Sequence, residues 1–86
     1  MIYIVDVDGT ICVTSKVKYD TATPHYEKIE EINKLYWEGH TIIYWATRPQ
    51  KWKHRTYSQL SAWGCEYDMI IFGQHLPNEV PVIHIS

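Results

Sequence analysis

An α/β fold built on a parallel four-stranded sheet is predicted by three features of the sequence. Four short apolar runs, Ile2–Asp6, Thr41–Ala46, Met69–Phe72 and Pro81–Ile85, have the length and continuity of buried strands. Two amphipathic stretches separate the first three of them. That alternation requires crossover connections, which are right-handed and leave neighbouring strands parallel. Polar groups also gather just past the strand ends: Asp6 and Asp8, Thr47 and Arg48, Gly73 and Gln74. Ligands bind parallel sheets beyond those carboxyl ends.

The first strand, Ile2–Asp6, closes on two carboxylates, with Gly9 supplying the freedom for a sharp turn. Residues Cys12–Thr23 mix Thr, Ser, Lys and Tyr without periodicity and read as a loop or short flap. Thr23-Pro24 has the form of a helix start, Thr as N-cap and Pro in the first helical position. Ile29, Ile32 and Leu35 or Tyr36 then make an apolar stripe, Glu27, Glu30, Glu31 and Lys34 a wet side, and Gly39 a stop. After the second strand, Thr47-Arg48-Pro49 breaks the run. A second helix is expected from Gln50 or Lys51 to Trp63, with Tyr57, Leu60 and Trp63 on one side.

Eighty-six residues make one domain near the lower limit of independent folding. Hydrophobic residues at 45% provide for a core rather than a disordered chain. The net charge of −2 lacks the basic signature of a nucleic-acid binder and counts against that partner. Two cysteines are too few for a disulfide framework, which fits a reducing compartment; Cys12 and Cys65 read as buried small residues. There is no basic signal-peptide head and no run of membrane-spanning length. The expectation is a soluble, cytoplasmic protein.

Asp6 and Asp8 lie at i and i+2, on one face of a strand. Carboxylates held that close need a cation or a proton between them, and oxygen donors suit a hard ion, Mg²⁺. Turn chemistry after a core strand accounts for Asp-Gly alone. The whole string Asp6-Val7-Asp8-Gly9-Thr10 resembles motif I of the haloacid dehalogenase superfamily of phosphohydrolases. Ala46-Thr47-Arg48 resembles its motif II in small members.

That resemblance implies a single Rossmann-like, three-layer domain over residues 1–86, with four parallel strands in the order 4-1-2-3. It implies Asp6 as the nucleophile on phosphorus, Asp8 as the general acid–base, and Thr47 as a hydroxyl on the transferring phosphate. Mg²⁺ would be held by the Asp6 carboxylate and by Asp8 through its backbone carbonyl. The implied substrate-binding set is Gly9, Thr10, Thr47, Arg48, Lys51, Trp52 and Gln74, with Arg48 able to grip phosphate bidentately. Thr47-Arg48-Pro49 also fits a plain strand-to-helix turn capped by Thr.

Two motifs depart from the family. A lysine is expected after the third strand, and Gln74 stands there; one or two acids are expected after the fourth, and His84 stands there. Imidazole is a poor ligand for Mg²⁺. The cluster Arg48, Lys51, Lys53, His54 and Arg55, with Trp52 inside it, suits a phosphate plus an aromatic base, though a solvated helix face carries the same charges. Three functions follow from these residues. The leading one is a metal-dependent phosphohydrolase of a small phosphomonoester or nucleotide. The second is a binder that sequesters such a ligand without turnover. The weakest is a nucleic-acid 3′-end phosphatase. A short flap, an uncovered sheet edge and abundant Trp and Tyr point to a homo-oligomer, most simply a dimer.

Overall fold

The computed structural model describes residues 1–15, 18–73 and 83–86. In chain order the elements are β1 (Ile2–Asp6), β2 (Cys12–Val13), β3 (Thr23–Pro24), α1 (Tyr26–Trp37), β4 (Thr41–Ala46), α2 (Lys53–Ala62), β5 (Met69–Phe72) and β6 (Ile83–Ile85). Short 3₁₀ turns occupy Tyr19–Thr21 and Gln50–Trp52. Gln74, Glu79, Pro81 and Val82 lie outside the described residues, so the expected start of the last strand and the position of Gln74 do too.

A four-stranded sheet runs in the order β5-β4-β1-β6, each neighbouring pair parallel. The expected numbering 4-1-2-3 counted four strands, whereas the described chain has six. The two it missed, β2 and β3, pair with each other as an antiparallel ribbon, Cys12 opposite Pro24 and Val13 opposite Thr23. Strands of two residues carry no periodicity to read; only the pairing between them makes them strands.

The helices cover one face of the sheet. Val5 stands beside Tyr44 and Tyr3 beside Ile42 in the β1–β4 register. Val5, Val7, Ile42, Tyr44 and Ala46 are buried in one cluster with Ile29 and Ile32 from α1 and Leu60 from α2. Two right-handed crossovers that step the same way across a sheet place both helices on the same side. The expected three-layer arrangement is therefore two-layered among the described residues. The opposite face carries Ile4, Asp6, Ile43 and Trp45, of which Ile43 and Trp45 are only half-buried.

Helix α1 begins later than the Thr23-Pro24 signature predicts. Pro24 is spent in the ribbon, and His25 is the cap, its Nδ1 accepting from the Lys28 backbone N–H at 3.2 Å. Gly39 ends the helix with φ at 97°, a conformation that favours glycine. Helix α2 follows a 3₁₀ turn rather than starting at Gln50. It buries Thr56, Gln59 and Leu60, while Tyr57, expected on the apolar side, is exposed.

Asn33, buried on α1, ties that helix to the turn after α2. Its Nδ2 donates to the Gly64 carbonyl at 2.9 Å and its Oδ1 accepts from the Glu66 N–H at 2.8 Å. Asn33→Ala leaves both backbone groups without partners, which costs about 1–3 kcal/mol. The expected result is a urea midpoint lowered by that free energy divided by an unchanged slope; an unchanged midpoint would show that water replaces the amide freely.

Candidate active site

The site begins where β1 ends. The Val7 N–H donates to the Trp45 carbonyl at 3.0 Å, extending the β1–β4 pairing one step past Asp6. The chain then turns: Ile11 N–H donates to the Val7 carbonyl at 3.2 Å and Gly9 N–H to the Cys12 carbonyl at 2.9 Å. Gly9 sits at φ 89°, which residues with a Cβ rarely adopt. The His25 N–H then donates to the Ile11 carbonyl at 2.8 Å, joining the turn to the start of α1.

Asp6, Val7, Asp8, Trp45 and Thr47 line one open cleft of about 240 Å³ at the carboxyl ends of β1 and β4. The structure thus brings the two carboxylates and the Thr47 hydroxyl to one place. It gives each carboxylate a different basic partner. His84 Nε2 lies 2.9 Å from Asp6 Oδ1. Arg48 grips Asp8 bidentately, Nε to Oδ2 at 3.0 Å and Nη2 to Oδ1 at 2.8 Å. Oδ1 of Asp8 also accepts from the Thr14 hydroxyl.

Arg48 does not present its fork to the cleft. Its side chain is fully buried. Nη1 donates to Thr56 Oγ1 at 3.1 Å and to Gln59 Oε1 at 2.6 Å, and Nη2 also approaches Cys12 Sγ at 3.9 Å. With the two contacts to Asp8, these account for the five N–H groups of a guanidinium. The Arg48 guanidinium also lies 4.9 Å from the centre of the Tyr19 ring, and Gln59 Nε2 donates to the Tyr19 carbonyl. The flap between β2 and β3 is thereby fastened to α2.

These contacts set the protonation of Asp8. Burial works to raise its pKa, but the hydrogen bonds from Arg48 and Thr14 and the Arg48 charge outweigh it and hold the carboxyl below its ordinary range. In this arrangement both Asp8 oxygens accept hydrogen bonds, from Arg48 and from Thr14. Burial, reinforced by the Asp8 charge, pushes the Cys12 thiol up to about 11, so it stays protonated and inert near neutrality.

The remaining expected residues are dispersed. Thr10 is half-buried in the turn and Gly9 is exposed. Lys51, Lys53, His54 and Arg55 are exposed at the start of α2, whereas Trp52 is half-buried with its ring edge-on to Tyr19 at 5.5 Å. A separate cleft of about 300 Å³ lies between the flap and α2, against Asp20, Arg55, Gln59 and Trp63, away from the strand ends. His84 is not among the site residues the sequence predicts; its signal there is that it stands where the motif resemblance expects a metal-binding acid.

No family profile and no curated protein matches the chain. The fold is found among solved structures. A chain of the Pnkp1/Rnl/Hen1 complex matches with a TM-score of 0.74 at 16% identity, over 92% of this chain and 29% of that one. A chain of the Pnkp1/Rnl/Hen1 RNA repair complex matches with a TM-score of 0.73 at 16% identity, over 92% of this chain and 27% of that one. A Vibrio cholerae protein matches with a TM-score of 0.67 at 21% identity, over 92% of this chain and 75% of its own. The chain thus spans less than a third of the repair-complex chains it resembles.

Removing Arg48 strands Asp8 as a half-buried, unpaired carboxylate and opens three elements at once. Arg48→Met is expected to cost about 3–5 kcal/mol. Because the folded-state pKa of Asp8 is depressed, the pair contributes stability above the ordinary 3.8 that is lost as pH falls through the lower folded value. Urea midpoints at pH 7 and pH 3 should therefore differ more for the parent than for Arg48→Met. Equal differences would show that Asp8 is not held by Arg48.

Proposed function

We propose that the cleft hydrolyses phosphomonoesters, with Asp6 as the nucleophile. The carrying observation is that Asp6, at the carboxyl end of a central parallel strand, shares an open cleft with the exposed Thr47 hydroxyl. The motif resemblance supports the same assignment. An Asp6 oxygen attacks phosphorus, the ester oxygen leaves with its electron pair, and water then cleaves the acyl phosphate to regenerate the carboxylate. Thr47 donates a hydrogen bond to a phosphate oxygen. Asp8, fixed by Arg48, shapes the floor of the cleft and donates nothing, so the leaving oxygen takes its proton from water.

A divalent ion, Mg²⁺ in the motif resemblance, fits this site at Asp6 and not at the Asp8 side chain. Both Asp8 oxygens already accept from Arg48 or Thr14, and the buried Arg48 charge compensates that carboxylate. The Asp6 carboxylate, together with water and the Asp8 backbone carbonyl, would hold the ion. Once bound, it would offset the repulsion between Asp6 and an incoming phosphate.

The substrate reading is a small phosphomonoester or nucleotide. The fold likeness to chains of an RNA repair complex, with exposed Lys51, Lys53 and Arg55 on α2 and its approach, supports a second substrate, a terminal phosphate on RNA. Equal turnover of free nucleotides and phosphorylated RNA ends would set that second reading aside. Sequestration without turnover is the remaining alternative, and what favours it is that Asp8, the proton donor of the motif resemblance, is engaged by Arg48 and Thr14.

Asp6→Asn should abolish hydrolysis of p-nitrophenyl phosphate, and residual activity within tenfold of the parent would move the chemistry elsewhere. With no donated proton, aryl phosphates, whose leaving groups are stable as anions, should turn over roughly 10²–10⁴-fold faster than alkyl phosphates. Comparable rates on both would show that a side chain does protonate the leaving oxygen.

A homodimer is part of this proposal. Tyr26 and Trp37 are strongly exposed on α1, eleven residues and three turns apart, so they share a face. Light scattering over a dilution series should give a twofold mass that falls on dilution; a monomer mass throughout rules the dimer out.

A further inference from the structure

Three neighbouring strands align one residue each at the mouth of the cleft. Trp45 on β4 stands opposite Asp6 on β1, and His84 on β6 stands opposite Ile4. Ile4 and Asp6 point to the same face, so the register itself delivers the imidazole to the Asp6 carboxylate. His84 is held from the other side by the Trp45 ring, 5.7 Å between centres. Trp45 is in turn pinned by its indole N–H, which donates to the Gly73 carbonyl at 2.8 Å. Both donors stay open to solvent, with side-chain exposures of 25% for Asp6 and 40% for His84.

The oxygen and nitrogen are 2.9 Å apart. Two donors each about 2.0–2.1 Å from a single ion stand about 3 Å apart, so one ion can replace the hydrogen bond between them with little movement of either side chain. The Asp8 carboxylate is closed to such an ion by Arg48 and Thr14. Among the described residues the available side-chain donors are therefore one carboxylate oxygen and one imidazole nitrogen, not the paired carboxylates that a hard cation prefers. Imidazole selects for zinc and its neighbours, whereas Mg²⁺ is content with carboxylates, carbonyls and water.

We propose that Asp6 and His84 together form a binding site for a borderline divalent ion, Zn²⁺ in preference to Mg²⁺, with the remaining positions left to water or a phosphate oxygen. This deepens the hydrolase reading by naming its ion, and rests on that reading for the ion's use but not for its binding.

The test is calorimetric titration of the full chain with Zn²⁺ and with Mg²⁺ in a phosphate-free buffer. It is joined by nitrogen-detected NMR of the histidine rings of the unmutated protein. Zn²⁺ should bind at least roughly tenfold more tightly than Mg²⁺ and shift the His84 Nε2 resonance first. His84→Ala and Asp6→Asn should each weaken Zn²⁺ by roughly tenfold or more, and His84→Asp should move the preference back toward Mg²⁺. Equal affinity for the two ions, unchanged Zn²⁺ affinity in His84→Ala, or an unmoved His84 resonance each overturns the proposal. Hydrolysis is assayed separately. Zn²⁺ bound through His84 without turnover sustains the proposal and removes the hydrolase reading. Turnover with Mg²⁺ and no binding through His84 does the reverse.

Discussion

The structure depends on one ion pair, the buried guanidinium of Arg48 with the half-buried carboxylate of Asp8. Burying a guanidinium costs several kcal/mol unless its charge is matched and its N–H groups are all used. Arg48 meets both conditions by drawing in partners from every side: Asp8 from the turn after β1, Cys12 from β2, Thr56 and Gln59 from α2, and the Tyr19 ring from the flap. A single cation thus organises the polar half of the core. The apolar half, Ile29, Ile32, Leu60 and the β1 and β4 side chains, has no comparable directionality. Packing gathers those residues, and Arg48 determines how the turn, the flap and α2 sit on one another.

That arrangement divides the two carboxylates of the cleft. Asp8 is held ionised by a fully buried partner that cannot give up its charge. Asp6 belongs to the rim, and its partner, His84, is half-exposed and replaceable by a ligand. The pair looks symmetric in the sequence, yet the structure gives its two members different partners. The reason is topological. Val7, between them, is drawn into the covered face, while Asp6 is left on the face that the helices do not reach.

The sequence was most legible where the signal is continuous and apolar. β1, β4 and β5 occupy the runs expected for them, because a strand buried in a parallel sheet needs apolar residues throughout. It was least legible where a short signal has two uses. Thr23-Pro24 reads equally as a helix start or as the end of a ribbon strand, and the distant partner Cys12 decides for the ribbon. The buried side of α2 was misread because Thr56 and Gln59 are polar, and only the Arg48 charge gives them a reason to be inside. The candidate site shows the same division. Asp6, Asp8 and Thr47 were visible as residues at strand ends. The Arg48–Asp8 contact spans 40 residues and the His84–Asp6 contact 78, and no local pattern encodes either.

A guanidinium stands beside Asp8 and an imidazole beside Asp6, in a cleft where the motif resemblance implies a metal and a lysine. A mobile cation can move with charge as it develops on phosphorus, whereas Arg48 is immobilised by its own hydrogen bonds and reaches only one carboxylate. Under the hydrolysis proposed above, the charge that stabilises a pentavalent phosphorus would enter from the open side of the cleft, at Asp6 beside His84, and the Arg48–Asp8 pair behind them would keep Asp8 out of that competition.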